Sequence, residues 1–370
     1  MNSNVLGVIN LIHETDEMEA LTASRCLASV PFGSRYRLID FILSSMVNSG
    51  MKKIAVFAHT KYRSLMDHLG AGKDWDLHRR HGGLFILPPV TNDVNETRRG
   101  DLFHFYQNRD FFTRSVQEYV VIARSHMVCN IDFTPVLAEH QASGADITVV
   151  CKRQTELSGG MARKVLADGN GRIMAMCDHY SRVQSDLVSM EMFVMRKELL
   201  LELVETSLAQ GQDHLVRHAI MGWMDRLHVR RYLYEGYLGI VNTVGSYYQH
   251  SMNLLLPAVG QHLFEEPETI YTKIKDEPPA RYMNGASTSN SLVANGCVIE
   301  GTVENSILFR GVHIGKGAVV RNSIVMQNGR VGAGSRLDYA ILDKEVTIEQ
   351  QQELCGAALA PFLAMKRKVI

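Results

Sequence analysis

Tyr119-Val-Val-Ile-Ala-Arg-Ser-His126 opens on five apolar residues rich in β-branching and turns polar at Arg124. A short, continuous apolar run of this kind reads as a strand buried on both faces, the central strand of a parallel sheet. Ligands of open parallel sheets gather beyond the carboxyl ends of the strands. Arg124, Ser125 and His126 therefore stand where chemistry would take place. None of the three is a carboxylate, the group a hard cation asks for.

Outward from this run, further strands are expected at Val5–Ile9, Lys53–Ala58, Asp146–Cys151, Met190–Met195 and Arg231–Leu238. Helical spacing fills the gaps. One helix is expected from about Ser34 to Asn48, closed by Gly50, and others over Lys61–Leu69, Asp101–Thr113 and about 196–209. Thr134-Pro135 reads as the N-cap and first turn of another. Strands alternating with helices predict an α/β doubly wound, Rossmann-like domain, with an antiparallel addition after Ile173. A helix over about Ser246–Leu256 leads out, and the proline-rich Glu277-Pro-Pro279 marks a boundary.

From Ser287 the texture changes. Small aliphatics recur every six residues, as at Ile314, Val320 and Met326, at Val331 and Leu337, and at Val293 and Ile299. A six-residue aliphatic period signals hexapeptide repeats coiled into a left-handed parallel β-helix, each coil burying itself against its neighbours. An ordinary β-sandwich with frequent turns is the alternative. The divisions expected are residues 1–245, a helix and linker over 246–290, and a β-helix over 291–370.

With 370 residues the chain is long enough for two proper cores. Its 39 basic and 39 acidic residues cancel, so no general field favours nucleic acid or an acidic membrane. Six cysteines without paired or metal-type spacing read as thiols of a reducing cytosol. No apolar run reaches the roughly 18 residues of a membrane span, and the expected location is cytoplasmic.

Val30-Pro-Phe-Gly-Ser-Arg-Tyr-Arg-Leu-Ile-Asp-Phe41 resembles the V-P-F-G-G-K-Y-R-I-I-D-F segment of ADP-glucose pyrophosphorylases, with Ser34 in place of a glycine. Asn48-Ser-Gly50, Tyr106-Gln-Asn108, Glu235-Gly-Tyr237 and Ser291-Leu-Val-Ala-Asn-Gly-Cys-Val-Ile-Glu300 are similar to other segments of that family, in order along nearly the whole chain. The resemblance implies a sugar nucleotidyltransferase domain ahead of the β-helix. It also implies a tetramer controlled by metabolite effectors, and ADP-glucose synthesis from ATP and glucose 1-phosphate for glycogen.

That reaction needs a cradle for phosphates, a cation held by carboxylates, and basic side chains. Where the family has its glycine-rich A-G-G-x-G-T-R-L loop, this chain carries Glu14, Asp16, Glu17 and Glu19. Such a loop repels a triphosphate. It reads as a solvated acidic loop, the alternative being a metal site of its own. Ser125 falls on one metal aspartate of the family and Ile240 on the other. Leu27 and His179 fall on its phosphate-binding lysines, while Gly100, Asp178, Ser189 and Asp213 fall in the sugar-phosphate pocket. The expectation is a chain without catalytic or metal residues and without a cofactor, Mg²⁺ entering only through a catalytic partner.

Arg25, Arg35 and Arg37, with Lys344 of the β-helix, match positions where the family receives phosphorylated or carboxylate effectors. Arginines suit such anions by bidentate donation. The alternative is that they pair with Asp40 or with a neighbouring subunit. His78-Arg-Arg-His81 is the other conspicuous basic cluster and reads as a solvated loop. The leading expectation is a non-catalytic regulatory subunit in a hetero-oligomer with a catalytic ADP-glucose pyrophosphorylase, a heterotetramer by analogy. A homo-oligomer is a further option. The alternatives are an active adenylyltransferase with an atypical metal site and, more distantly, a hexapeptide acyltransferase, for which His313 is the one β-helix histidine.

Overall fold

The computed structural model describes residues 4–12, 14, 16–89, 99–154, 161–178, 185–265 and 268–370. The first domain is built on a nine-stranded mixed sheet. Its strands are β1 (Val5–Asn10), β2 (Lys53–Phe57), β3 (Gly83–Leu87), β4 (Tyr119–Ala123), β5 (Ile147–Arg153), β6 (Lys164–Ala167), β7 (Ile173–Cys177), β8 (Leu187–Arg196) and β9 (Val229–Leu233). β4 sits inside it, parallel to β1 with Val5 opposite Tyr119, and antiparallel to β8 with Phe193 opposite Ile122. Tyr119, Val121 and Ala123 enter one hydrophobic cluster and Val120 and Ile122 the other. Two packed faces are what the apolar run demanded. The antiparallel addition is the β6–β7 hairpin together with the long β8.

Several boundaries differ from the expected ones for local reasons. The helix expected from Ser34 begins at Leu38, because Pro31–Phe32 and Tyr36–Arg37 pair as a hairpin around Gly33 and Ser34. Both turn residues are left-handed, with φ of 58° and 67°. The Arg37 N–H donates to Asp40 Oδ2 at 2.9 Å, which closes the new helix start. Asp132, not Thr134, caps the helix Phe133–Ser143, accepting the Thr134 N–H at 2.8 Å. The segment Asp101–Thr113 breaks at Asn108 into two short helices. β9 ends at Leu233, after which the chain turns back, and the helices Val244–Asn253 and Pro257–Phe264 lead to the second domain.

That domain is a left-handed parallel β-helix with three five-stranded faces. Along one face Tyr282, Ile299, Ile314, Val331 and Ile348 lie in register, the last four buried. At one corner Asn290, Asn305 and Asn322 take left-handed φ and hand their amides along the axis. Asn290 donates to Asn305 at 2.9 Å, Asn305 to Asn322 at 2.6 Å, and Asn322 to Asp338 at 2.9 Å. Asparagine is one of the few residues with a side chain that tolerates this conformation, hence its recurrence.

The two domains share a core. Phe32, Phe41 and Tyr247 pack in one cluster with Ile307, Phe309, Ile324 and Met326 of the β-helix. The Tyr248 hydroxyl donates to Asn322 O at 2.6 Å, and Arg25 Nη2 meets Asp343 Oδ2 at 2.5 Å. The last strand, Phe362–Ala364, covers the buried Ala340–Leu342, and Val369 bridges Thr347. Leu359 in the preceding turn is 96% exposed. Ending the chain at Cys355 strips this coil, and aggregation or lost assembly is expected by light scattering; a monodisperse species like the full chain would show the coil to be dispensable.

All six cysteines are free thiols; Cys129, Cys151 and Cys297 are buried and Cys355 is exposed. No helix among the described residues is long and apolar enough to cross a membrane.

Candidate functional site

Beyond the carboxyl end of β4 lies Ser125, with Ile240 on the neighbouring short strand opposite Met127. Gly239–Ile240 pairs antiparallel with Met127–Val128, and the Val241 N–H donates to His126 O at 2.9 Å. Ser125 is fully buried and Ile240 is 1% exposed.

The acidic segment after β1 crosses this spot. Glu14 Oε1 accepts the Ser125 N–H at 2.6 Å, and Ser125 Oγ lies 3.0 and 2.9 Å from the two carboxylate oxygens. His126 Nδ1 is 3.4 Å from Oε1. Further on, the Glu17 N–H donates to Asn242 O at 2.7 Å, and Glu17 bridges Thr243. Asp16 and Glu17 are exposed as an acidic loop should be. Glu14 departs from that reading, because its side chain turns inward and only 5% of it remains exposed.

A second carboxylate enters from β8. Glu191 is buried, with φ of 53°, and accepts Arg163 Nη1 at 2.5 Å; Arg124 Nε is 3.4 Å away. Burial opposes its ionisation, but the Arg163 and Arg124 guanidiniums outweigh that and hold its carboxyl below the ordinary range. Arg163 also meets Asp178 at 3.1 Å, and Arg217 donates to Asp178 at 2.9 Å.

The four residues assigned to a sugar-phosphate pocket all have internal partners. Asp178 is in the arginine network, and Ser189 Oγ accepts the Glu191 N–H at 3.0 Å. Asp213 Oδ2 accepts the Gly100 N–H at 2.9 Å. A Cβ on Gly100 would fall 2.1 Å from Asp213 O, so this approach requires glycine.

A different cavity, of about 290 Å³, lies between the domains. The Pro31–Arg37 hairpin supplies Arg35 and Arg37, the linker supplies Lys273 and Lys275, and the β-helix supplies Arg310, Lys344 and Lys366. Among the described residues, Asp67 and Glu345 are the carboxylates in its lining. Arg37 Nη1 donates to Ser64 O at 2.6 Å and to Ser64 Oγ at 2.9 Å, while Asp40 Oδ1 is taken by His68 Nε2 at 2.6 Å. Burial, then the neighbouring Arg37 and Arg25, pushes the Lys344 ammonium down to about 7. Arg25 itself is not in the lining; it lies behind, 3% exposed, in its pair with Asp343.

The Nucleotidyl transferase family profile matches residues 17–221, and the GlmU-like C-terminal hexapeptide profile matches residues 278–357. The Glycogen biosynthesis protein GlgD of Bacillus subtilis (strain 168) is 40% identical over 99% of this chain and 96% of its own length. The chain belongs to the GlgD and glucose-1-phosphate adenylyltransferase family.

A second Glycogen biosynthesis protein GlgD, from Geobacillus stearothermophilus, is 43% identical over 86% of this chain and 84% of its own. The Glucose-1-phosphate adenylyltransferase of Thermomicrobium roseum is 34% identical over 94% and 82%.

The residues of this GlgD-family chain do not fit the divalent cation that adenylyl transfer uses. Ser125 offers a neutral oxygen already engaged with Glu14, and Ile240 offers no donor atom. Among the described residues no three His, Cys, Asp or Glu side chains are grouped to share a metal ion. Leu27 is packed in the shared core beside Met18 and Leu21. His179 lies outside the described residues. The His78–His81 run is exposed, with Arg79 turned onto Asp76.

Glu14, Glu191 and the arginines around them were not legible as a unit in the sequence, nor were Lys273, Lys275, Arg310 and Lys366. They lie in separate segments of the chain, and only the crossing of elements collects them.

Proposed function

We propose that this chain is a non-catalytic, regulatory member of its family. In this reading it pairs with a catalytic ADP-glucose pyrophosphorylase in a hetero-oligomer and modulates ADP-glucose synthesis from ATP and glucose 1-phosphate in glycogen biosynthesis. The observation that carries it is the Glu14 carboxylate seated on Ser125. Attack on the α-phosphorus of ATP builds negative charge, which the family's reaction meets with a cation. Here the same place holds a negative charge. Losing a single transition-state contact costs about 10²–10³ in rate, and here several are missing together. The names of the relatives, glycogen biosynthesis protein and glucose-1-phosphate adenylyltransferase, supply the pathway and the partner chemistry.

The test is an ADP-glucose pyrophosphorolysis assay of the purified chain, alone and co-expressed with a catalytic subunit. The chain alone should stay at background, and the mixed complex should differ from the catalytic subunit alone in rate or effector response. Turnover by the chain alone within tenfold of a typical roughly 10 s⁻¹ would overturn the reading.

The cavity between the domains supports an anionic effector of charge −2 or more, since among the described residues seven basic side chains there face two carboxylates. A bound dianion restores the proton to Lys344, so binding near pH 8 should take up a proton and weaken as pH rises above 7. Calorimetry in buffers of different ionisation enthalpy reads this uptake. Without a ligand the sign reverses for the fold. Between pH 7 and 10.5 the unfolded chain holds the Lys344 proton and the folded chain does not, so stability gains with pH. Arg37→Ala should move the effector curve of the mixed complex to higher concentration; an unchanged curve assigns regulation to the partner.

A further inference from the structure

The cleft contains donors that converge on an anion, and the anion is the chain's own. Ser125 N–H, Ser125 Oγ–H and His126 Nδ1 surround the Glu14 carboxylate. One residue further toward β4, Arg124 reaches Glu191, which Arg163 also grips. Backbone amide, hydroxyl and guanidinium donors gathered in one buried place are the means by which proteins hold oxyanions.

Two features distinguish these carboxylates from ordinary surface pairs. Glu191 adopts a left-handed φ of 53°, which residues other than glycine, asparagine and aspartate rarely take, and is 7% exposed. Glu14 is the inward-turned member of a segment whose Asp16 and Glu17 face solvent. Both side chains thus reach into the cleft from backbones that do not otherwise require it.

We infer that Glu14 and Glu191 act as built-in anions occupying a latent oxyanion cradle, and that Glu14 is its removable half. The class of ligand is a phosphate-type oxyanion, whose several oxygens match donors arriving from Ser125, His126 and Arg124. Glu191 has two arginine partners and shares Arg163 with Asp178, so it stays. Among the described residues Glu14 accepts from the Ser125 backbone and hydroxyl and meets the His126 ring, and the Glu17 backbone is tied down further along. A tethered carboxylate competes at an effective concentration on the order of millimolar. Free phosphate therefore enters the wild-type cleft poorly. The inference starts from the same Glu14–Ser125 contact as the non-catalytic reading but goes beyond it, since phosphate entry into the cleft is read apart from turnover and from partnering.

The experiment follows the His126 ring in full-length chain labelled with ¹³C at histidine Cε1, its resonance identified by its absence in His126→Asn. Inorganic phosphate is titrated to about 10 mM, the range in which a weak site fills. The His126 signal reports the cleft alone, so phosphate captured by the basic cavity between the domains does not interfere. In Glu14→Gln and Glu14→Ala the resonance should move, with half-saturation at least about tenfold below that of any wild-type response, which the internal carboxylate confines to the top of the range. Adding Arg124→Gln should abolish the new response. A resonance that stays put in both Glu14 variants, or moves equally in the wild type, overturns the inference. Glu14→Gln keeps the side-chain shape and decides the matter if Glu14→Ala fails to fold. Unfolding of both would also overturn it, because a removable plug cannot be required for the fold.

Discussion

Ser125→Asp is expected to lower the thermal midpoint by about 4–6 °C and to leave ADP-glucose synthesis at background. The new carboxylate would stand where Ser125 Oγ now lies 2.9 Å from Glu14 Oε2, in a residue with no exposure. Two like charges about 4 Å apart at an effective dielectric near 20 repel by about 4 kcal/mol. Part of this is relieved because one carboxyl raises its pKa, which leaves a cost of about 3 kcal/mol. A raised folded-state pKa gives a stability contribution present in acid and lost as pH rises. The deficit of the variant should therefore shrink toward pH 4 and be full at pH 7. Ser125→Ala, which removes one hydrogen bond, should cost only about 1 kcal/mol. Adding Ile240→Asp should not bring back turnover, because Glu14 and the acidic loop remain in the path of the triphosphate. A Ser125→Asp midpoint equal to that of the wild type at pH 7 would show that Glu14 is not held at this position in solution.

Asp343→Ala is expected to cost about 3–5 kcal/mol, the second large effect. Its carboxylate is 1% exposed and holds Arg25, 3% exposed, across the junction between the sheet domain and the β-helix. Removing it leaves a guanidinium buried without its counter-charge. Arg25 Nη1 already has no hydrogen-bond partner among the described residues, so nothing nearby takes over. Arg25→Met combined with Asp343→Leu should be far milder, since apolar pairs of similar volume replace buried ion pairs at little cost. Denaturant midpoints of the three proteins check this. Equal losses in the single and double variants would mean that shape, and not charge, matters at the junction.

The sequence by itself determined the two architectures. Tyr119–Ala123 had to be an interior strand, because five consecutive apolar side chains need two packed faces. The six-residue period favoured a coil over a β-sandwich, since a flat sheet does not repeat its inward positions that way. The resemblance also placed Ser125 and Ile240 at the family's metal positions, where the residues themselves are read directly.

Tertiary structure alone decided what fills the site. Glu14 read as one more charge of a solvated loop, because the sequence carries no signal for which member of an acidic run turns inward. That direction depends on Ser125 and His126 offering donors from the turn after a strand distant in the chain. Glu191 was likewise hidden in a strand that reads as apolar, and its left-handed backbone follows from the irregular pairing of β8 between Ser189 and Phe193. The basic cavity needed the hairpin, the linker and three separate turns of the β-helix to be brought within reach of one another. Burial and hydrogen bonding of charges are set by long-range contacts, and such contacts leave no period in the chain. Arg25 shows the same limit, since its charge was legible and its partner Asp343, in the other domain, was not.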